Sequence, residues 1–380
     1  MSQKNQIIFI SSIHRSAEKA LDGLVSLRDR FDIVLFNISQ ASKNTNYEAA
    51  SRYHKVQKKY FKNIVDAPGL RSYSHRMSKG YSDSVCSILK TLVNEKTVCV
   101  IIDDMRTHKT LYPRDIYNTV KSINHEIEVV GIPEGVKPVS QIKGAYDLDG
   151  RRRHWDKVFC IGSHDYDFIV SNNLAARDDL FIVGVPENDK VKDAISNLSE
   201  DYILVVLNFV KGGYPKYDLA KPVPVNIETF EKMMLFKLQK DTGKKIIFKI
   251  KDRMNENTGG ESEHLRNILP EDLDYEIITN VECDVDLIRK AYCVLSYGSG
   301  MMLKSIMMKK PTVIFREMGF TGIFENYPGT FSVGDDYSEI FTKDFPEKQH
   351  QFLVQVLGTE DYFQSREAFS KSITKIVDNK

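Results

Sequence analysis

The stretch Ala291–Glu317, AYCVLSYGSGMMLKSIMMKKPTVIFRE, decides the fold. An apolar run, CVLSY, reaches a corner of Ser296, Gly298, Ser299 and Gly300, and an amphipathic stretch over 300–309 follows. A second apolar run, PTVIFR, ends in Arg316. This is the pattern of strand, tight corner, helix and parallel strand. Small residues suit such a corner for two reasons: they turn tightly, and they let an anion approach the free N–H groups of the helix start. Lys304 lies one turn in, on the face of Gly300. The surrounding Met301, Met302, Ile306, Met307 and Met308 read as core.

Outward from this corner the same alternation recurs. Strands are expected at 6–12, 32–38, 97–104, 127–133, 157–163 and 180–186. The pattern restarts at 202–209, 244–250 and 274–280. Helices are expected at 15–30, 45–60, 70–94, 112–124, 226–241 and 283–290, with a largely helical end from about 346. The apolar runs are continuous rather than alternating, as in strands buried on both faces of a parallel sheet. The polar stretch ENDKVKDAISNLSED, 187–201, separates two such series. The expected architecture is α/β: two Rossmann-like doubly wound domains, 1–190 and 191–345, and a helical segment, 346–380. Two such domains would face each other across a central cleft, with ligands outside the strand ends.

Composition agrees with a globular chain. The 380 residues are 42% hydrophobic and 28% charged, with a net charge of +1. No global field points to nucleic acid, so an anion site must be local. The N-terminus MSQKNQIIFI lacks the apolar length of a secretory signal, and no run approaches the roughly 20 apolar residues of a membrane span. Cys86, Cys99, Cys160, Cys283 and Cys293 show no metal-ligand spacing and read as reduced residues of a cytoplasmic protein.

The strand ends supply the candidate chemistry. After the first strand, SSIHRSAE has no glycine where a G-x-G-x-x-G dinucleotide fingerprint needs one. It offers His14 as a general base. Asp103 and Asp104 end the 97–104 strand, and Glu134-Gly135 follows 127–133. A carboxylate beside glycine suits a base that a ligand can approach closely. The run of Arg151, Arg152 and Arg153 offers forks for phosphate or carboxylate. In the second half, Lys211 precedes Gly212 and Gly213 in a cationic loop. Lys249, Lys251 and Arg253 alternate onto one side at a strand end. Each has a plain alternative as a solvated charge or turn residue.

The ordered set resembles the glycosyltransferase-B fold, in the branch shared by non-hydrolysing UDP-N-acetylglucosamine 2-epimerases and bacterial capsule-type glycosyltransferases. VVGIPEGVKP resembles the E-x-G segment of the epimerases. RRRHWDKVFCIGSHDYDFIV with DDLFIVGVPENDK resembles their N-R…D-x-x-F…G-N-P-x-x-D crossover. VLSYGSGMMLKSIMMKKPTVIFREMGFTGIFENYPGTFSVGD resembles D-S-G-G-x-x-E-E…P-x-x-x-x-R…G…L-V-G. IIFKIKDR resembles the K-P-H-P segment of capsule-type enzymes, with Lys249 kept. The resemblance implies that Ser296, Gly298, Ser299 and Gly300 meet a diphosphate, with Lys249, Lys251, Lys211 and Arg316 close by. The epimerase H-R-x-E-N is absent after 202–209, and its Glu-Glu is here Lys304-Ser305.

The expected activity is therefore transfer of a sugar from a nucleotide-activated donor to a glycan or lipid-linked acceptor, in surface polysaccharide or glycoconjugate synthesis. Glu134, His14 or Asp104 would take the acceptor proton. The nucleotide sugar is a substrate; no cofactor and no metal are expected, because cationic side chains meet the phosphates. Peripheral contact with the inner membrane surface is a further expectation, with FQSREAFSKSITKIV as its candidate segment. A UDP-sugar 2-epimerase and a non-catalytic sugar-nucleotide binder are the alternatives.

Overall fold

The computed structural model describes residues 4–11, 14–38, 55, 57–67, 79–103, 112–132, 154–207, 225–250, 260–279, 284–297, 300–316, 324 and 326–379. The chain forms two units, Met1–Asp189 with Val356–Lys380, and Lys190–Gln355.

The first unit is built on β1 (Gln6–Ser11), β2 (Asp32–Asn37), β3 (Asn63–Asp66), β4 (Thr97–Ile102), β5 (Glu128–Gly131), β6 (Lys157–Cys160) and β7 (Leu180–Ile182). They pair in the order β3-β2-β1-β4-β5-β6-β7, every pair parallel. Successive side chains alternate faces. Ile8, Ile10, Val34, Phe36, Val100 and Ile102 pack with Val85, Leu89, Ile116, Val120 and Ile169 from helices Lys79–Leu92, Tyr112–Ile123 and Ser163–Ser171. Ile7, Phe9, Ile33, Leu35, Cys99 and Ile101 pack on the other face. Their partners are Ala20, Leu21 and Leu24 of helix His14–Val25, with Phe369, Ile373 and Ile376 of helix Ser365–Asp378. Both faces are covered, which is why the strands read as unbroken apolar runs.

The second unit repeats the plan with β8 (Tyr202–Leu207), β9 (Lys245–Ile250), β10 (Tyr275–Ile278), β11 (Ala291–Tyr297), β12 (Thr312–Phe315) and β13 (Thr330–Phe331). Their order is β10-β9-β8-β11-β12-β13, again parallel. In both sheets the third strand pairs with the second, the second with the first, and the first with the fourth. The order reverses between β1 and β4, and between β8 and β11. These switch points are where open α/β sheets bind ligands.

Several elements differ from expectation. β3 and β13 were not foreseen; β3 holds only two apolar residues, Ile64 and Val65, and β13 is two residues long, so neither reads as an apolar run. The helix Glu261–Ile268 was also missed, because its eight residues hold only two large apolar side chains. The expected helix 226–241 is two helices, Ile227–Lys232 and Leu235–Thr242. Met234 between them is left-handed, with φ 51°, and Asn226 starts the first with a capping box through Thr229. The 187–201 stretch is not bare linker but includes the short helix Lys190–Ala194.

The closing residues 346–380, expected as a segment of their own, divide between the units. The helix Phe345–Leu357 begins in the second and ends in the first, and Ser365–Asp378 belongs wholly to the first. Phe369 meets Phe159 edge-on at 5.2 Å. It also presses on Gly23, where a Cβ would lie 2.7 Å from its ring. Asp189 accepts the backbone N–H of Ser365 at 3.0 Å and of Arg366 at 2.9 Å, satisfying the free donors at that helix start. Phe369, Ile373, Ile376 and Val377 of FQSREAFSKSITKIV are therefore occupied by the protein core.

Candidate functional site

The second sheet brings distant candidates to one level. Ser296 on β11 pairs with Val206 on β8, and Val206 pairs with Lys249 on β9. On its other side Ser296 pairs with Ile314 on β12. Register partners in a parallel sheet share a face, so Ser296 and Lys249 stand on the same side, one strand apart. Strand spacing puts their backbones about 10 Å from each other. That separation spans a phosphate group and its two sets of ligands.

Each member has its own environment. Ser296 is fully buried, and its Oγ makes no hydrogen bond with the described residues. A buried hydroxyl without a partner is a cost unless a ligand or water satisfies it. Lys249 is half-buried in a strand whose preceding residues are core; its Nζ donates to the Ile250 carbonyl at 3.3 Å. Arg316 leaves β12 two residues beyond Ile314 and is exposed. Its Nη2 reaches the Thr330 carbonyl at 3.4 Å, which holds the guanidinium over the end of the neighbouring strand.

Gly300 precedes the helix Met301–Met307. Its φ of −60° and ψ of −15° are open to any residue, and a Cβ there would meet nothing within 4 Å. A tight turn does not account for glycine at this position. Lys304, expected to share the Gly300 face, is buried and its amine lies 3.9 Å from Asp284. It serves the interior of the unit. The neighbouring Lys310 is also structural. Its amine donates to the Ser199 carbonyl at 2.6 Å, and burial lowers its pKa.

In the first unit, the reversal between β1 and β4 is lined by Asp103, a strand-end candidate in the sequence, and by Ser11 and Asn37, which were not singled out there. Ser11 on β1 pairs with Asn37 on β2. Both are buried, as is Asp103 just after β4. By alternation all three fall on the face covered by helix His14–Val25. Asn37 exchanges hydrogen bonds with Gln57 and donates to Asp66 at 2.7 Å. Ser11 Oγ, like that of Ser296, has no partner among the described residues. The sequence signal was a polar residue closing an apolar run.

His14 opens its helix, as expected from the strand-to-helix junction; its side chain lies outside the described residues. So do Glu134, Asp104, Lys211, Lys251, Gly298 and Ser299, as well as Gly135, Arg151, Arg152, Arg153, Gly212, Gly213, Arg253 and Cys283. The other four cysteines are free thiols, three of them buried. Among the described residues no group of three His, Cys, Asp or Glu side chains could hold a metal ion. None of their helices is long and apolar enough to cross a membrane.

No family model matches the chain, and no curated protein does. Solved structures do. A Listeria monocytogenes structure described as a putative UDP-N-acetylglucosamine 2-epimerase is 11% identical with a TM-score of 0.65, covering 100% of this chain and 98% of that one. UDP-GlcNAc 2-epimerase from Neisseria meningitidis, bound to UDP-GlcNAc, is 12% identical with a TM-score of 0.61, covering 97% and 100%. Medicago truncatula UGT71G1, complexed with UDP-glucose, is 12% identical with a TM-score of 0.58, covering 98% of each chain. The likeness runs the length of the chain, and together with the two parallel sheets it defines a GT-B fold.

Proposed function

We propose that the protein is an enzyme acting on a nucleotide-activated sugar, and that it transfers the sugar to a glycan or lipid-linked acceptor. The observation that carries the reading is the level row Lys249, Val206 and Ser296 at the switch point of the second sheet. It supports the reading because a cation and a hydroxyl with no partner among the described residues stand near strand ends, the side on which open α/β sheets take ligands. Neighbours of the same fold hold UDP-glucose and UDP-GlcNAc.

In this reading Lys249 offsets charge that develops on the leaving phosphate, where fixed donors help most. Ser296 Oγ donates to a phosphate oxygen and recovers its missing hydrogen bond. Arg316 adds a second positive group. Ser299, Gly298 and Gly300 give the backbone close access, and Lys211 and Lys251 flank the site. Glu134, His14 or Asp104 removes the acceptor proton.

Thermal unfolding with UDP, CMP, CDP, GDP and ADP tests the reading. A nucleotide at about 100 times its Kd adds roughly 2.7 kcal/mol. One of the five should raise the midpoint of the wild type and not that of Lys249→Ala. No shift with any of them would sink the proposal.

Epimerisation is the second reading, favoured by the full-length likeness to the 2-epimerase structures. Lys304-Ser305 in place of Glu-Glu and the missing H-R-x-E-N speak for transfer. Incubation with UDP-GlcNAc and no acceptor separates the two. Proton NMR that shows a second UDP-sugar would favour epimerisation.

A further inference from the structure

On the first unit, residues 55–62 read KVQKKYFK, with four lysines and no acid. Residues 57–60 are helical and lead into β3. Gln57 and Phe61 are buried, Tyr60 is half-buried, and Lys55, Lys58, Lys59 and Lys62 are all exposed. The core thus pins one side of this short stretch and turns every lysine outward.

Two more cations join from elsewhere in the chain. Arg28 donates to the Tyr60 carbonyl at 2.9 Å, and its guanidinium lies 5.3 Å from the centre of the Tyr60 ring. The Lys59 amine lies 5.1 Å from the same ring. Lys4 donates to the Arg28 carbonyl at 2.9 Å. Two like charges therefore share one aromatic ring, which repels them from each other unless an anion faces both.

Some surface lysines elsewhere have acids to meet. Lys232 pairs with Glu228, Lys237 with Asp241 and Lys371 with Glu367. None of Lys4, Arg28, Lys55, Lys58, Lys59 and Lys62 forms an ion pair with a described residue. Asp29 follows Arg28 in the chain, and Asp32 accepts from the Asn63 side chain at 2.9 Å. In a chain of net charge +1, this is a local positive excess.

We propose that this face docks on an anionic phospholipid surface. Exposed lysines on aliphatic stems around a half-buried tyrosine match a headgroup layer: the ring and stems meet its apolar edge while the amines stay among phosphates. Each basic residue near such a surface adds to the attraction, and salt screens it. The inference does not rest on the nucleotide reading, since adsorption needs no donor.

The test is sedimentation of the full chain with vesicles of phosphatidylcholine alone, or with about one-third phosphatidylglycerol, at about 0.1 M and about 0.5 M salt. Binding should require phosphatidylglycerol and fade at the higher salt. K58E/K62E changes two exposed side chains that make no hydrogen bond or ion pair with a described residue, so folding should be kept, which its thermal midpoint checks. Its partition onto anionic vesicles should fall about tenfold or more. K232E/K237E, on the second unit, should leave partition unchanged. Absence of binding, equal binding to neutral vesicles, or equal loss in both variants would overturn the proposal. So would a K58E/K62E variant that binds vesicles normally and loses only affinity for a nucleic-acid polyanion.

Discussion

Ser296 and Lys249 stand on one face of the second sheet, one strand apart. The Ser296 hydroxyl is buried without a hydrogen bond to a described residue, so Ser296→Ala removes a polar group that none of them compensates. Urea unfolding of the free protein should show stability unchanged or raised by up to about 1 kcal/mol. If the hydroxyl meets a phosphate, the same variant should weaken nucleotide binding, read by titration. A loss of 2 kcal/mol or so in the free protein would point to a partner within the fold. Tyr202 gives a separate test. Its hydroxyl donates to the Leu287 carbonyl at 2.7 Å. Burial first, and then Asp201, push its pKa from 10.0 up to about 12. Above pH 10 the unfolded chain releases this proton while the folded chain keeps it. Stability should therefore fall as pH rises from 10 toward about 12. Tyr202→Phe should make that fall less steep in unfolding measured across the window.

Among the elements, the helix Ser365–Asp378 depends on two fixed points. Phe369 lies against Gly23, and the ring leaves no room for a methyl group. Gly23→Ala should cost about 1–3 kcal/mol by overpacking, although alanine favours a helix by about 1 kcal/mol. Chemical unfolding measures the balance, and a stabilised variant would contradict the packing. Asp189 caps the same helix through two backbone N–H groups. Asp189→Ala should cost about 1 kcal/mol, with Asp189→Asn intermediate. The glycine is visible in the sequence as a residue inside a helical pattern, but its reason is not. Only the fold sets Phe369 on top of it.

For the whole molecule, the two units offer independent readouts. The chain enters the second at Lys190 and returns to the first at Val356. Ending it after Leu357 would remove Phe369, Ile373 and Ile376 from the face of Ile7, Phe9 and Phe159. The first unit should then unfold or aggregate. Limited proteolysis should leave a resistant fragment from the second unit alone. Adding the nucleotide found by thermal unfolding should protect that fragment further. A truncated chain as resistant as the full one would contradict the shared core.

The sequence by itself determined the class of fold. Continuous Val/Ile runs between amphipathic stretches admit little besides parallel strands covered on both sides, because one buried face alone would leave alternation. It also named candidate residues directly after the apolar runs, most of which lie outside the described residues. It could not show β3 or β13, which hold too few apolar residues to stand out as runs. Nor could it show that the closing helix returns to the first unit, since an amphipathic helix does not specify which apolar face it covers. Strand order was decided by tertiary structure, and with it the level shared by Ser296, Val206 and Lys249. Residues far apart in the chain become neighbours only when hydrogen-bond register sets β8 between β9 and β11. Register is a property of the paired strands, and no single strand carries it.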